Sequence, residues 1–274
     1  MKIATIILNR NLPLTTDKLY ENIAKNNSDI TDIYVVESGS NKDRRSQYCT
    51  WWANDDESIK NGLRYGRGFN FGLTNLLNEK KYESYDYFFL VCNDVEFEDK
   101  PILHILNNEI EKHPQLGILS PCSPTWAERQ IIGTDDIRYF WHVHFNSWLV
   151  RRSYMDDVRE LENPNRNNFF FDGNNFRGYY SDIEMVAKGY ANDWATGITT
   201  KVIQSENDSY LKTKSDLMKT DPYEKNLIKV YDEGKNWLRG KYGFNSRWTM
   251  QAYAKFLYER FFEFHPEISN YKIS

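Results

Sequence analysis

The 274 residues hold 35 Lys and Arg against 39 Asp and Glu, a formal net charge of -4 with no long block of one sign. That balance argues against nucleic acid as the main partner, since a basic face is its expected footprint. The three cysteines, Cys49, Cys92 and Cys122, are scattered and odd in number, and fit neither a disulfide framework nor a zinc pattern.

Residues 2–8 (KIATIIL) read as a first buried strand, ended by Asn9, Arg10, Asn11, Leu12 and Pro13. Thr16 or Asp17 can cap a helix over 18–25, with Leu19, Ile23 and Ala24 on one side. A second strand over 33–36 runs into Glu37, Ser38, Gly39 and Ser40. Strand, helix, strand in so short a span is a βαβ unit with a parallel sheet. Residues 44–65 are polar and read as irregular, with Trp51 and Trp52 inside.

Gly66, Gly68 and Gly72 then open a helix that runs through Leu73, Leu76 and Leu77. Their G-x-G-x-x-x-G spacing differs from a dinucleotide fingerprint. Gly68 either lets the backbone approach a phosphate or nucleoside closely, or makes a tight turn against the sheet.

The apolar run 87–91 reads as a strand buried on both faces, with Asn93 and Asp94 at its carboxyl end. Ligand crevices of open α/β sheets lie there. A carboxylate so placed can hold a hard cation and, through it, a diphosphate; an Asn-Asp turn is the simpler reading. A helix over 101–112 and a strand over 116–121 follow, and then a loop to 138 in which Asp135 and Asp136 read as solvated turn. Residues 139–150 (YFWHVHFNSWLV) read as one aromatic strand running into Arg151 and Arg152. His142 and His144 would share a face of it, yet no Cys or acid completes a metal set.

Ser181 or Asp182 begins a helix that Gly189 stops, so Asp182 sits at the helix mouth, as a cap or pointing into a cleft. A last strand spans 194–203. From 222 to 264 the pattern is helical, broken at Gly240 and Gly243, and reads as an appendage that covers the cleft or meets an acceptor or a second subunit. Aromatics reach 16%, with 19 Tyr and 8 Trp, an excess that suits stacking on nucleobases or sugar rings. No apolar run has membrane-spanning length and no charged-then-apolar leader precedes the first strand, so a cytoplasmic location is expected.

In order and spacing, residues 1–208 resemble a family-2-type glycosyltransferase of the rhamnosyltransferase-like, polysaccharide-type group. Residues 5–10 (TIILNR) resemble that family's first strand and exit, and residues 35–43 (VVESGSNKD) its "VVDNGSTD" segment, with Glu37 in place of the base-side Asp. Gly68, Gly72 and Asn75 resemble its loop over the nucleotide. Cys92, Asn93 and Asp94 stand where it carries a D-x-D metal motif, and residues 180–189 resemble the helix start that bears its catalytic base. Three features depart from the pattern. Cys92 replaces the first acid, leaving Asp94 as the hard ligand; Gln204 lies near the place of a late His; Ser181 replaces the Glu before the base.

The resemblance implies an α/β fold of the GT-A type: a mostly parallel central sheet flanked by helices, with residues 1–208 as the catalytic domain and 209–274 as a helical extension. It implies inverting transfer of a sugar from a nucleoside-diphosphate sugar to a hydroxyl of a glycan or other acceptor, with Asp182 as general base. Donor binding would fall to Asn9, Arg10, Glu37, Ser38, Arg67, Gly68, Asn93 and Asp94, with Arg151 and Arg152 as weaker candidates. Acceptor binding would fall to Trp148, Tyr180 and Glu184, and Mn²⁺ or Mg²⁺ would sit at Asp94. The C-terminal helices could also join two copies. Two other readings compete. A sugar nucleotidyltransferase would need a glycine-rich loop after the first strand, which Asn9 to Pro13 lack. A non-catalytic carbohydrate-binding or scaffold protein on the same fold is compatible with the lost acid at Cys92.

Overall fold

Ile3–Asn9 form β1, buried along its whole length, because an unbroken apolar run is stable only where both faces of the sheet are covered. β1 pairs in parallel with β2 (Thr31–Glu37) on one side and with β4 (Tyr87–Cys92) on the other. Helix α1 (Pro13–Asn27) joins β1 to β2 and starts on Pro13, whose fixed φ suits a first helical position. β3 (Cys49–Trp52) adds a parallel edge, and the short α2 (Asp56–Asn61) is capped by Asp55, which accepts from Ser58 N at 3.1 Å. Helix α3 (Arg64–Asn78) leads back into β4. The computed structural model describes residues 1–125, 127–132, 137–207 and 221–273.

The second half adds β5 (Val95–Phe97), α4 (Ile102–Ile110), β6 (Leu116–Cys122), β7 (Ile137–Tyr139), β8 (Ser147–Arg151) and α5 (Arg152–Val158). Then come α6 (Ser181–Ala191), β9 (Ala195–Glu206), α7 (Tyr223–Tyr242) and α8 (Arg247–Phe264). The strand order is β3-β2-β1-β4-β8-β6-β9-β5, with β7 also on β9. β8 lies antiparallel between β4 and β6, and β5 and β7 lie antiparallel on β9. The sheet is therefore mixed rather than purely parallel. Helical crossovers through α1 and α3 keep β1, β2 and β4 parallel, whereas β8 enters after an irregular segment and runs the other way.

Several local expectations are corrected. The aromatic run 139–150 is not one strand: it breaks after Tyr139, and His142 and His144 lie in the connection to β8. Gly66, Gly68 and Gly72 lie inside α3 rather than before it. Gly240 lies inside α7, and only Gly243, at φ +72°, ends that helix. Asp135 and Asp136, and the boundary expected at residue 208, lie outside the described residues.

Ile183 and Ala187 of α6 form a small core with Trp237, Leu238, Met250 and Ala254 of α7 and α8. Tyr258, Phe261 and Phe262 of α8 join the main core with the sheet strands. Among the described residues no helix is long and apolar enough to cross a membrane.

Candidate active site

Parallel registry places Asn9 beside Glu37 and Leu8 beside Cys92, so the carboxyl ends of β1, β2 and β4 open together. A cavity of about 280 Å³ lies there, with Asn9, Arg10, Ser38, Asn93 and Asp94 on its wall. Asn9 ties the three ends together. Its Nδ2 donates to both Glu37 oxygens at 2.9 and 3.1 Å, and its Oδ1 accepts from Leu12 N at 3.0 Å and Asn93 Nδ2 at 3.2 Å. Glu37 itself is fully buried behind that wall and also accepts from Ser46 N at 2.7 Å. Desolvation raises its pKa although these hydrogen bonds oppose the shift. It braces the site instead of facing the cavity.

Arg10 donates to the carbonyls of Ser38 (2.9 Å), Ser58 (3.0 Å) and Ile59 (3.1 Å), and burial lowers its pKa to about 10, leaving it cationic near neutral pH. Arg67 points elsewhere: its Nε donates to Gly173 O at 2.9 Å and its guanidinium stacks 4.8 Å from Phe176. Arg64 and Arg177, which the sequence reading did not single out, reach the cavity instead. Arg64 opens α3 with a left-handed φ of +59°, and its buried Nε has no hydrogen-bond partner among the described residues. Its pKa falls to about 10, first through desolvation and then through the charges of Arg177 and Arg10. Three guanidinium groups thus crowd one cavity, an arrangement that an entering anion relieves. Arg151 and Arg152 lie at the opposite end of β4, where Arg151 pairs in register with Tyr87. Gly68 approaches protein, not ligand: a Cβ there would stand 3.1 Å from both Leu8 methyls.

Cys92 is no hard ligand, since burial and then the charges of Asp94 and Glu206 push its thiol well above the usual range. Glu206 is the acid missed in the sequence. Pairing of β5 with β9 sets it opposite Val95, next to Asp94, and Asn146 Nδ2 donates to its carboxylate. Gln204 is fully buried between Ser147 Oγ (2.6 Å) and Pro121 O (3.0 Å), so it does not take the late ligand's place. Among the described residues no three His, Cys, Asp or Glu gather to hold a metal alone. Asp94 and Glu206 are nevertheless hard oxygen donors, of the kind that Mg²⁺ and Mn²⁺ take.

A second cavity, of about 370 Å³, shares Tyr65 and Arg177 with the first. Asp182 lies on its wall and accepts from Ile183 N at 2.9 Å, and Tyr180 stands beside it at φ +70°. Tyr180 precedes α6 without a side-chain cap, so Asp182 is not the capping residue. Asn175 holds this turn by donating to Tyr179 O at 2.6 Å and Ser181 Oγ at 3.1 Å. The Tyr65 hydroxyl donates to Gly178 O at 2.5 Å; burial and then Asp182 raise its pKa. A Cβ at Gly178, with φ +74°, would land in the Tyr65 ring. His142 and His144 line this cavity, and desolvation lowers the His142 pKa despite the nearby Asp182 charge. Trp148 does not reach it, being fully buried with Nε1 donating to His144 O at 3.1 Å. Glu184 is also fully buried, held by the Tyr242 hydroxyl at 2.5 Å and Lys241 Nζ at 2.7 Å.

The architecture has relatives among solved structures. GalNAc-T7, crystallised with UDP, GalNAc and Mn²⁺, aligns over 99% of this chain with a TM-score of 0.57 and 8% identity. S. aureus TarS residues 1–349 with UDP-GlcNAc aligns over 88% with a TM-score of 0.53 and 11% identity. This is the GT-A glycosyltransferase fold. The chain spans 58% of the GalNAc-T7 chain and 74% of the TarS fragment. No family model matches this chain, and no curated protein matches it significantly.

Proposed function

We propose that this chain is a nucleotide-sugar-dependent glycosyltransferase that inverts configuration at the anomeric carbon. The observation that carries the reading is the joining of two cavities through Tyr65 and Arg177. One is the arginine-rich cavity at the strand ends, and the other is walled by aromatics and the carboxylate of Asp182. That GalNAc-T7 was crystallised with UDP and Mn²⁺ and TarS with UDP-GlcNAc supports a uridine nucleotide as the first donor to try.

In this reading the diphosphate lies among Arg10, Arg64 and Arg177, whose charges balance what develops on the leaving group. Asn9 and Ser38 order the strand ends, and Asp94 and Glu206 would hold a divalent cation. A bound cation would supply further positive charge to the leaving diphosphate. Asp182 takes the proton of an acceptor hydroxyl as that oxygen attacks from the second cavity. Tyr180 closes the acceptor side.

Asp182→Asn tests the assignment. The amide keeps the shape but cannot take a proton, so transfer should fall about a hundred- to ten-thousandfold. UDP affinity by calorimetry should stay within about threefold, because Asp182 lies on the acceptor side. Transfer within about threefold of wild type would end the case for Asp182 as base.

A further inference from the structure

Cations outnumber carboxylates on the wall of the second cavity: Arg177 and Arg247 line it together with Asp182, its one carboxylate among the described lining residues. The two arginines differ. Arg177 is already engaged, bonding Asp221 at 3.0 Å and pairing with Glu233. Arg247 makes no ion pair among the described residues. Its Nη1 donates to the Tyr179 hydroxyl at 3.2 Å, and its guanidinium stacks 4.4 Å over the Trp248 ring. Stacking holds the planar group in place while leaving most of its N–H fork unused.

This half-buried residue lines the cavity. Its charge is felt by His142 and by Tyr180, both on the same wall. Gln251, one turn further along α8, lines the cavity beside it. Around them stand Tyr179, Tyr180 and Tyr231, with Tyr231 edge-on to Tyr179 at 4.8 Å. Aromatic rings with polar edges suit a sugar ring, and a guanidinium fork suits a carboxylate or phosphate. Asp182 and a bound diphosphate would repel an acidic acceptor, and an unengaged arginine offsets that repulsion.

Resting on the transferase reading, we infer that the acceptor is an acidic glycan and that Arg247 recognises its carboxylate or phosphate. The anionic group takes no part in bond making. The acceptor oxygen bonds to the anomeric carbon, the bond from that carbon to the diphosphate oxygen breaks with its electron pair, and the hydroxyl proton passes to Asp182.

The test uses the full chain saturated with UDP in about 0.15 M salt, where surface attraction is largely screened. Three sets of oligosaccharides of matched length are applied: neutral, uronate-containing and phosphate-containing. The wild type should bind one acidic set at least tenfold more tightly than the neutral set, and which acidic set it prefers identifies the anion. Arg247→Gln should abolish that preference with UDP affinity and thermal midpoint unchanged, and Arg247→Lys should restore part of it. Equal or better binding of neutral glycans, binding of none, or a preference that survives Arg247→Gln would overturn the inference. A wild type that fails to bind UDP, GDP and dTDP would instead remove the transferase reading beneath it.

Discussion

Glu128 is 1% exposed, and one of its oxygens has no hydrogen-bond partner among the described residues. Its other oxygen accepts from His144 N at 3.4 Å, a weak bond that does not offset desolvation, and its pKa rises from 4.5 to about 7. A carboxyl that the fold holds protonated gives stability that is complete below about pH 4.5 and lost as pH rises through about 7. A shift of that size corresponds to a stability difference on the order of 3 kcal/mol. Glu128→Gln mimics the protonated form, so the variant should gain on wild type in thermal midpoint between pH 5 and pH 8.5. A gap that does not change with pH would show that Glu128 is already ionised in the fold. Arg64 offers a second test, since Asn tolerates a left-handed φ and removes the charge. Arg64→Asn should leave the melting temperature nearly unchanged and raise the nucleotide Kd about tenfold, or about 1.4 kcal/mol; unchanged affinity would take Arg64 out of the diphosphate site. The residues that sequence reading brought to the cavity walls, Asn9, Arg10, Ser38, Asn93, Asp94, Tyr180 and Asp182, all sit where an apolar run ends or a helix begins. Arg64, Arg177 and Glu206 were not legible: Arg64 starts α3 ahead of the glycines that marked the helix, Arg177 lies in an irregular segment, and Glu206 ends β9 opposite Val95 through a long-range strand pairing.

At the scale of elements, α3 shows how one glycine pattern supports two readings. Gly68 and Gly72 lie one turn apart on the face that meets the sheet, where Cβ atoms would touch Leu8 at 3.1 Å and Ile6 at 3.0 Å. The helix therefore seats closely on β1, and the glycines serve packing rather than phosphate approach. Gly68→Val should cost about 1–3 kcal/mol through overpacking and lower the melting temperature by several degrees. UDP affinity of the folded fraction, measured by calorimetry, should stay within about twofold; a selective loss of affinity at unchanged stability would return Gly68 to the donor site. The long central strands were legible because each is a continuous apolar run. β3 and β5 were not, being four and three residues long at sheet edges and only partly buried. The run 139–150 misled because His142 and His144 face a cavity, so an aromatic composition fits a cavity wall as well as a strand.

For the whole molecule, the parallel half of the sheet followed from the βαβ spacing of β1, α1 and β2. The mixed half did not, because the placement of β8 between β4 and β6 is a long-range pairing without a local pattern. The C-terminal helices are tied to both cores, through Trp237 and Leu238 in one and Tyr258, Phe261 and Phe262 in the other. They also contribute Tyr231, Arg247 and Gln251 to the second cavity, so the shape of that cavity depends on them. The proposed transferase function requires that the arginine-rich cavity at the ends of β1, β2 and β4 holds a nucleoside diphosphate. Calorimetric titration of the full chain with UDP, GDP and dTDP, each with Mn²⁺ and with chelator, tests it most directly. One diphosphate should bind with a Kd between about 1 μM and 1 mM, the usual range for substrates, and the matching sugar nucleotide should displace it. No binding heat from any of the three, under either condition, would contradict the claim and leave a sugar-binding or scaffold role on this fold.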